Sequence, residues 1–277
     1  VPSKKALVRR PAPGLADGLV THVEREEVDV DLAVRRWEAY TDALRAHGWE
    51  TVEVDPADDC PDSVFVEDTV VMFRNVALIA RSGAESRRAE TLGVEEAVAS
   101  LGCSVNWVWE PGTLDGGDAL KTGGTVYVGR GGRTNAAGVQ QVRAAFEPLG
   151  ARVVAVPVAK VPHLKSAVTA LPDGTVVRHI PHMDAPSLFP RFLPVPEPSG
   201  AHVVCLGGRQ AADGGECPED GGAVRGPRVR AGAGGHRRVR EAGGPRDLPV
   251  GAAAGPVRLT GVPGRNIPLV SGLLRCS

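Results

Sequence analysis

Four short stretches gather the residues of this chain best suited to polar chemistry: DSVFVED at 62–68, GTLDGGD at 112–118, RTNAAG at 133–138 and HLKS at 163–166. They offer the carboxylates Asp62, Glu67, Asp68, Asp115 and Asp118, the guanidinium of Arg133 and one histidine, His163. A second arginine, Arg87, stands in GAESRR at 83–88. A guanidinium is a planar cation whose N–H groups match carboxylates in paired hydrogen bonds, so an acid-lined pocket is its natural receptor. Attack on its central carbon needs a strong nucleophile, which a thiolate supplies when a neighbouring histidine lowers the thiol pKa. The same histidine can protonate the departing amine and then activate water. Taken singly, each residue also has a plainer reading. His163 precedes an apolar strand, Arg87 lies near a helix start, and Phe65 alternates with Val64 and Val66 as a strand residue would. The acids could also ligate a metal, but a single histidine without ligand spacing argues against it, and no metal or cofactor is expected.

Such residues need a scaffold that brings them to one place. One module recurs three times: ALRAHGWETVEVD (Ala43 to Asp55), AVASLGCSVNWVW (Ala97 to Trp109) and AAFEPLGARVVAVPV (Ala144 to Val158). Each is an amphipathic helix, a glycine stop (Gly48, Gly102, Gly150) and a strand with period-2 apolar spacing. Val34, Trp37 and Leu44 mark one helix, and Leu92, Val94, Val98 and Leu101 predict another over Glu85 to Leu101. After each strand comes a polar cluster and a hairpin, beginning at Val66, Asp115 and His163. Arg87 and Arg133 occupy matching places in the turns that follow the first two hairpins. A unit of about 50 residues that cannot bury its apolar face alone predicts a ring of units, with room for five: an α/β propeller whose polar clusters meet at the axis. A doubly wound parallel sheet is the alternative, disfavoured by Asp-Gly and Gly-Gly hairpins between the helices.

The bulk properties agree with a globular binder of small molecules. The chain has 277 residues, 42% of them apolar, and a net charge of −1, with no sustained basic block before residue 200. Neither nucleic acid nor an anionic membrane is suggested, and no apolar run approaches a membrane span. The five cysteines are odd in number and lack CxxC spacing, so no disulfide framework is expected. A cytoplasmic protein follows, with a homodimer as one possible state.

The four motifs, with PGLADGL (Pro13 to Leu19) and GAESRR, resemble in order and spacing the dimethylarginine dimethylaminohydrolase family over roughly residues 5–207. The resemblance implies a five-bladed α/β propeller (pentein-like) and hydrolysis of methylated arginine to citrulline and a methylamine. It implies His163 as general acid/base and Asp115 as the acid orienting it. Asp62, Glu67 and Asp68 would frame the guanidinium, Phe65 would lie beside it, Leu19 would sit on a lid loop, and Arg87 and Arg133 would bind the substrate α-carboxylate. An arginine deiminase-like enzyme and a non-catalytic binder of arginine derivatives are the alternatives.

Residues 208–277 break the pattern. Of the 35 glycines, 17 fall in 207–277, a stretch with no lysine and no aromatic residue. Composition alone suggests an irregular tail, or an RNA-binding one. Back-translated with G/C-rich codons and read one base later, Ala211 to Ala253 instead yields AALYADRGYEPVPVD, another copy of the module, and then VTCPSV. The latter resembles the segment carrying the family's nucleophilic cysteine, whose codon would straddle Leu248 and Pro249. Cys276, in LLRCS, has no such surroundings. The expectation is a guanidine-hydrolase-like propeller domain over 1–207, an out-of-frame segment over 208–277 that disrupts the last blade, and an inactive chain without the nucleophile.

Overall fold

The computed structural model describes residues 4–20, 27–204 and 206, and the backbone of 273–274. In chain order its elements are β1 (Lys4–Val8), α1 (Val30–Ala46), β2 (Trp49–Glu53), β3 (Val70–Phe73), β4 (Val76–Ile79), α2 (Val94–Ser100), β5 (Ser104–Trp107), β6 (Ala119–Thr122), β7 (Thr125–Arg130), α3 (Ala136–Phe146), β8 (Arg152–Pro157), β9 (Val168–Ala170), β10 (Val176–Arg178), β11 (Phe192–Pro194) and β12 (Leu273–Leu274). Among the described residues they form four three-stranded sheets, β12-β1-β2, β3-β4-β5, β6-β7-β8 and β9-β10-β11. Each of the last three is an antiparallel hairpin followed by a parallel third strand. In the first sheet β1 pairs β2 in parallel and β12 antiparallel.

This is the α/β propeller expected from the repeat. The antiparallel hairpin inside each repeated unit excludes the doubly wound alternative. The last expected unit, the segment 208–277 and Cys205, Cys217 and Cys276 lie outside the described residues, apart from the backbone of β12. Cys60 and Cys103 are buried thiols. No helix among the described residues is long and apolar enough to cross a membrane.

Helix starts and stops follow local chemistry. Asp29 caps α1 by accepting from Leu32 N–H at 2.8 Å, and Asn135 caps α3 by accepting from Gly138 N–H at 2.8 Å. The three stops hold: Gly48, Gly102 and Gly150 have φ of 79°, 81° and 90°, a region costly for side chains bearing a Cβ. Trp37, Tyr40 and Leu44 of α1 pack on Ala6, Val8 and Trp49, while Val139, Val142 and Phe146 of α3 cover Val71, Leu78, Val126 and Val128.

The helix expected over Glu85 to Leu101 is broken. Residues Glu85–Thr91 form a 3-10 segment, Gly93 takes φ 76°, and only Val94–Ser100 is α-helical. The cause lies inside the segment: Arg87 and Glu90 point into the protein, Leu92 points out, and the apolar stripe resumes only at Val94 and Val98.

Candidate active site

The polar clusters sit on three equivalent 3-10 turns, Val66–Thr69, Gly116–Asp118 and Leu164–Ser166, each leading into the hairpin of its own sheet. The turns touch one another, first to second and second to third. Glycine makes the approach possible: a Cβ on Gly116 would lie 2.0 Å from the Glu67 carbonyl oxygen, and one on Gly117 would lie 2.5 Å from Asp68 Oδ1 and 3.0 Å from His163 Cγ. The Gly-Gly of DGGD is therefore required where separate blades meet.

At this meeting point His163 Nε2 lies 3.1 Å from Asp115 Oδ2, and ligating atoms of Asp68, Asp115 and His163 all fall within 4.8 Å of one another. Asp115 is fully buried; its Oδ1 accepts from Gly83 N–H at 3.1 Å and its own N–H donates to Thr134 Oγ at 3.1 Å. Burial alone would lower the His163 pKa, but Asp68, the Asp115 hydrogen bond and Asp118 raise it to about 9. Burial would raise Asp68, yet His163, Arg87 and the Gly117 N–H hold it at about 2. The acidic neighbours thus favour the imidazolium form of His163, and His163 in turn favours the ionised form of Asp68.

Asp62 links Leu19 and Phe65, its carbonyl accepting from the Phe65 N–H at 3.0 Å. Asp62 is buried and its Oδ2 accepts from Leu19 N–H at 2.7 Å, so this carboxylate fastens the Leu19 backbone. The Leu19 side chain is exposed. Phe65 lies with its ring 6.0 Å from the Arg87 guanidinium carbon. Glu67 reaches the third turn, where Lys165 Nζ donates to its Oε1 at 2.6 Å.

The two arginines differ in what they leave free. Arg87 donates from Nε and Nη2 to both Glu90 oxygens at 2.9 and 2.7 Å, from Nη1 to Asp68 Oδ2 at 2.9 Å, and weakly from Nη2 to the Asp62 carbonyl at 3.4 Å. Four of its five N–H bonds are committed, so it has one left for a ligand. Arg133 Nη1 is buried with no hydrogen-bond partner and lies 3.6 Å from Asp115 Oδ2. The matching places of Arg87 and Arg133 in the repeat therefore do not make them equals: the first is mainly an internal tie and the second retains capacity for an anion.

Glu90, Lys165 and Thr134 belong to the site and were not singled out from the sequence. Thr134 and Lys165 carried a faint signal inside RTNAAG and HLKS; Glu90 had none apart from its partner's position. Neither described cysteine is suited to attack. Cys103 packs in the apolar core with Val94 and Val98, and burial pushes the Cys60 thiol up, away from thiolate character. A groove of about 580 Å³ lined by residues including Leu92, Trp107 and Trp109 contains none of the expected site residues.

No family model matches the chain. It is 83% identical over 208 residues to N(G),N(G)-dimethylarginine dimethylaminohydrolase of Streptomyces coelicolor, covering 75% of this chain and 81% of that protein. It is 34% identical over 206 residues to the protein of the same name from Pseudomonas aeruginosa, covering 73% and 80%. The solved structure of a cysteine-to-serine mutant of the Pseudomonas protein with citrulline superimposes with a TM-score of 0.67 at 33% identity, over 74% of this chain and 81% of that one. The N-terminal domain of the cyanobacterial arginine dihydrolase ArgZ, at 20% identity and a TM-score of 0.63 over 70% and 76%, shares the fold. Motifs, propeller and extended identity converge: the chain belongs to the dimethylarginine dimethylaminohydrolase family.

Proposed function

We propose that the described residues are the substrate-binding and acid/base part of an enzyme that hydrolyses methylated arginine to citrulline and a methylamine. The observation that carries this is the His163–Asp115 pair, set within 4.8 Å of Asp68 at the junction of the three turns. Asp68, with Glu67 and Asp62 nearby, supplies negative charge for a guanidinium. Arg133, whose Nη1 lies beside Asp115, takes the α-carboxylate with its other N–H groups, aided by the one remaining Arg87 hydrogen, and the Phe65 ring flanks the guanidinium. In the reaction a thiolate bonds to the guanidinium carbon. His163, protonated at neutral pH, gives its proton to the departing methylamine as the C–N bond breaks. His163 then takes one proton from water, whose oxygen bonds to the same carbon; as the C–S bond breaks the second water proton leaves to solvent, giving citrulline and the thiolate.

We further propose that the chain as written cannot complete this cycle. The shifted reading of 208–277 places the nucleophilic cysteine codon across Leu248 and Pro249, so translation in the given frame contains no thiol at that point. The homodimer and the cytoplasmic location remain proposals; the size of the purified chain in solution tests the first.

Calorimetry of the purified chain with asymmetric dimethylarginine should show saturable binding, and its citrulline production should be nil. Absence of binding overturns the site assignment; citrulline from protein of the mass given by this sequence overturns the inactivity. Sequencing across codons 200–215 tests the frame: one recovered base restoring VTCPSV turns the same gene into a cysteine hydrolase.

A further inference from the structure

Asp118 ends the second polar turn, is 2% exposed, and is tied to both members of the His163–Asp115 pair without touching either side chain by a hydrogen bond of its own. Its Oδ1 accepts from the Leu164 N–H at 2.9 Å, and Leu164 directly follows His163. Its Oδ2 accepts from the Thr134 hydroxyl at 2.6 Å, and the same Thr134 oxygen accepts from the Asp115 N–H at 3.1 Å. The His163–Asp115 contact at 3.1 Å closes these bonds into a ring. We propose that Asp118 is a positioning residue that sets the separation and orientation of His163 and Asp115, holding the first at the next peptide N–H and the second through Thr134.

Three observations make the role particular to a carboxylate at this place. Thr134 has a single hydroxyl proton and gives it to Asp118, which leaves its lone pairs for Asp115 N–H; an amide at 118 would donate to that oxygen and compete with Asp115. The carboxylate is also walled in, since a Cβ on Gly129 would lie 2.5 Å from Asp118 Oδ1, so the side chain has little room to find other partners. Burial pushes its pKa up to about 6, and His163, the Thr134 hydroxyl and the Leu164 N–H pull it the other way, so the bonds that hold the carboxylate in place are also the ones that favour its ionised form against the loss of solvation. The charged groups around His163 are Asp68, Asp115 and Asp118, with Arg87 on Asp68 and Arg133 beside Asp115.

The test is the His163 imidazole titration, followed by NMR in the full-length chain without ligand. Loosening the pair removes the Asp115 hydrogen bond that favours the imidazolium. Asp118→Asn and Thr134→Val are therefore each expected to weaken His163 protonation about tenfold, whereas Thr134→Ser, which keeps the hydroxyl, should leave it close to the parent. If Asp118→Asn shifts the titration and Thr134→Val does not, Asp118 acts only through its charge; if neither shifts it, Asp118 serves only the fold. Either result overturns the proposal.

Should the variants not fold, amide hydrogen exchange in the unaltered chain decides. Protected Leu164 and Asp115 amides support the ring, and exchange as fast as in exposed loops overturns it. The catalytic meaning of the ring rests on the acid/base role proposed for His163. Because the titration uses no ligand, failure to bind dimethylarginine would overturn that role while leaving the positioning result to stand or fall separately.

Discussion

His163 gains its charge from its neighbours, and that charge has a thermodynamic signature. Its folded pKa of about 9 lies above the ordinary 6.5, so the pairing stabilises the fold fully below about pH 6.5 and is lost as pH rises through about 9. Denaturant titrations across that window should show stability falling, and Asp115→Asn should flatten the fall by returning the imidazole toward its ordinary value. Asp68 behaves oppositely: held at about 2, it contributes stability above its ordinary 3.8 that is lost as pH falls through about 2. A bound guanidinium adds a second cation, so saturating dimethylarginine should lower the His163 pKa, visible as a move of its NMR titration midpoint to lower pH. The acids and His163 were legible as a group because they recur at equivalent points of a repeat. Glu90 was not, because a charge folded back on a 3-10 segment leaves no periodic trace, and Lys165 stood within HLKS with nothing in the sequence to mark it as a bridge between two turns.

At the level of elements, the turns are set by backbone contact more than by side-chain packing. Gly117→Ala should disturb Asp68 and His163 together and cost about 1–3 kcal/mol, read as a lower denaturation midpoint with weakened ligand binding. Gly102→Ala meets nothing within 4 Å and strains only φ, so it should cost about 1–2 kcal/mol and leave binding alone. The Glu85–Thr91 segment is held by charge: burial raises the Glu90 pKa, an effect Arg87 offsets only in part, while Asp68 and Glu90 together keep Arg87 firmly protonated. Glu90→Ala would strip a buried guanidinium of two hydrogen bonds and should destabilise by about 3–5 kcal/mol in the same denaturation assay. The glycine stops and strands were readable from apolar spacing. The break at Gly93 was not, because Leu92, Val94, Val98 and Leu101 continue a helical period across it.

On the scale of the whole molecule, each sheet relies on its neighbours to cover its apolar face. Among the described residues strand β11 stands at the edge of its sheet with Phe192 and Leu193 exposed, the kind of apolar edge that promotes self-association. A protein translated in the restored frame should therefore melt at a higher temperature and aggregate less than the chain as written, as calorimetric scanning and light scattering would show. Room for five units was legible from the length of the repeat; the last falls in 208–277, where the proposed change of frame would destroy apolar period and turn chemistry at once.

The three-turn junction has a further consequence for how the chain reaches its native state. Its ties join residues far apart in sequence: Glu67 and Lys165 are separated by 98 positions, Asp68 and Gly117 by 49, Asp115 and His163 by 48. Such contacts raise the contact order, and the closure of long loops must precede their reward, which slows folding. No single unit brings His163, Asp115 and Asp68 together, so ligand affinity should emerge in refolding with the slowest phase, when the units have docked.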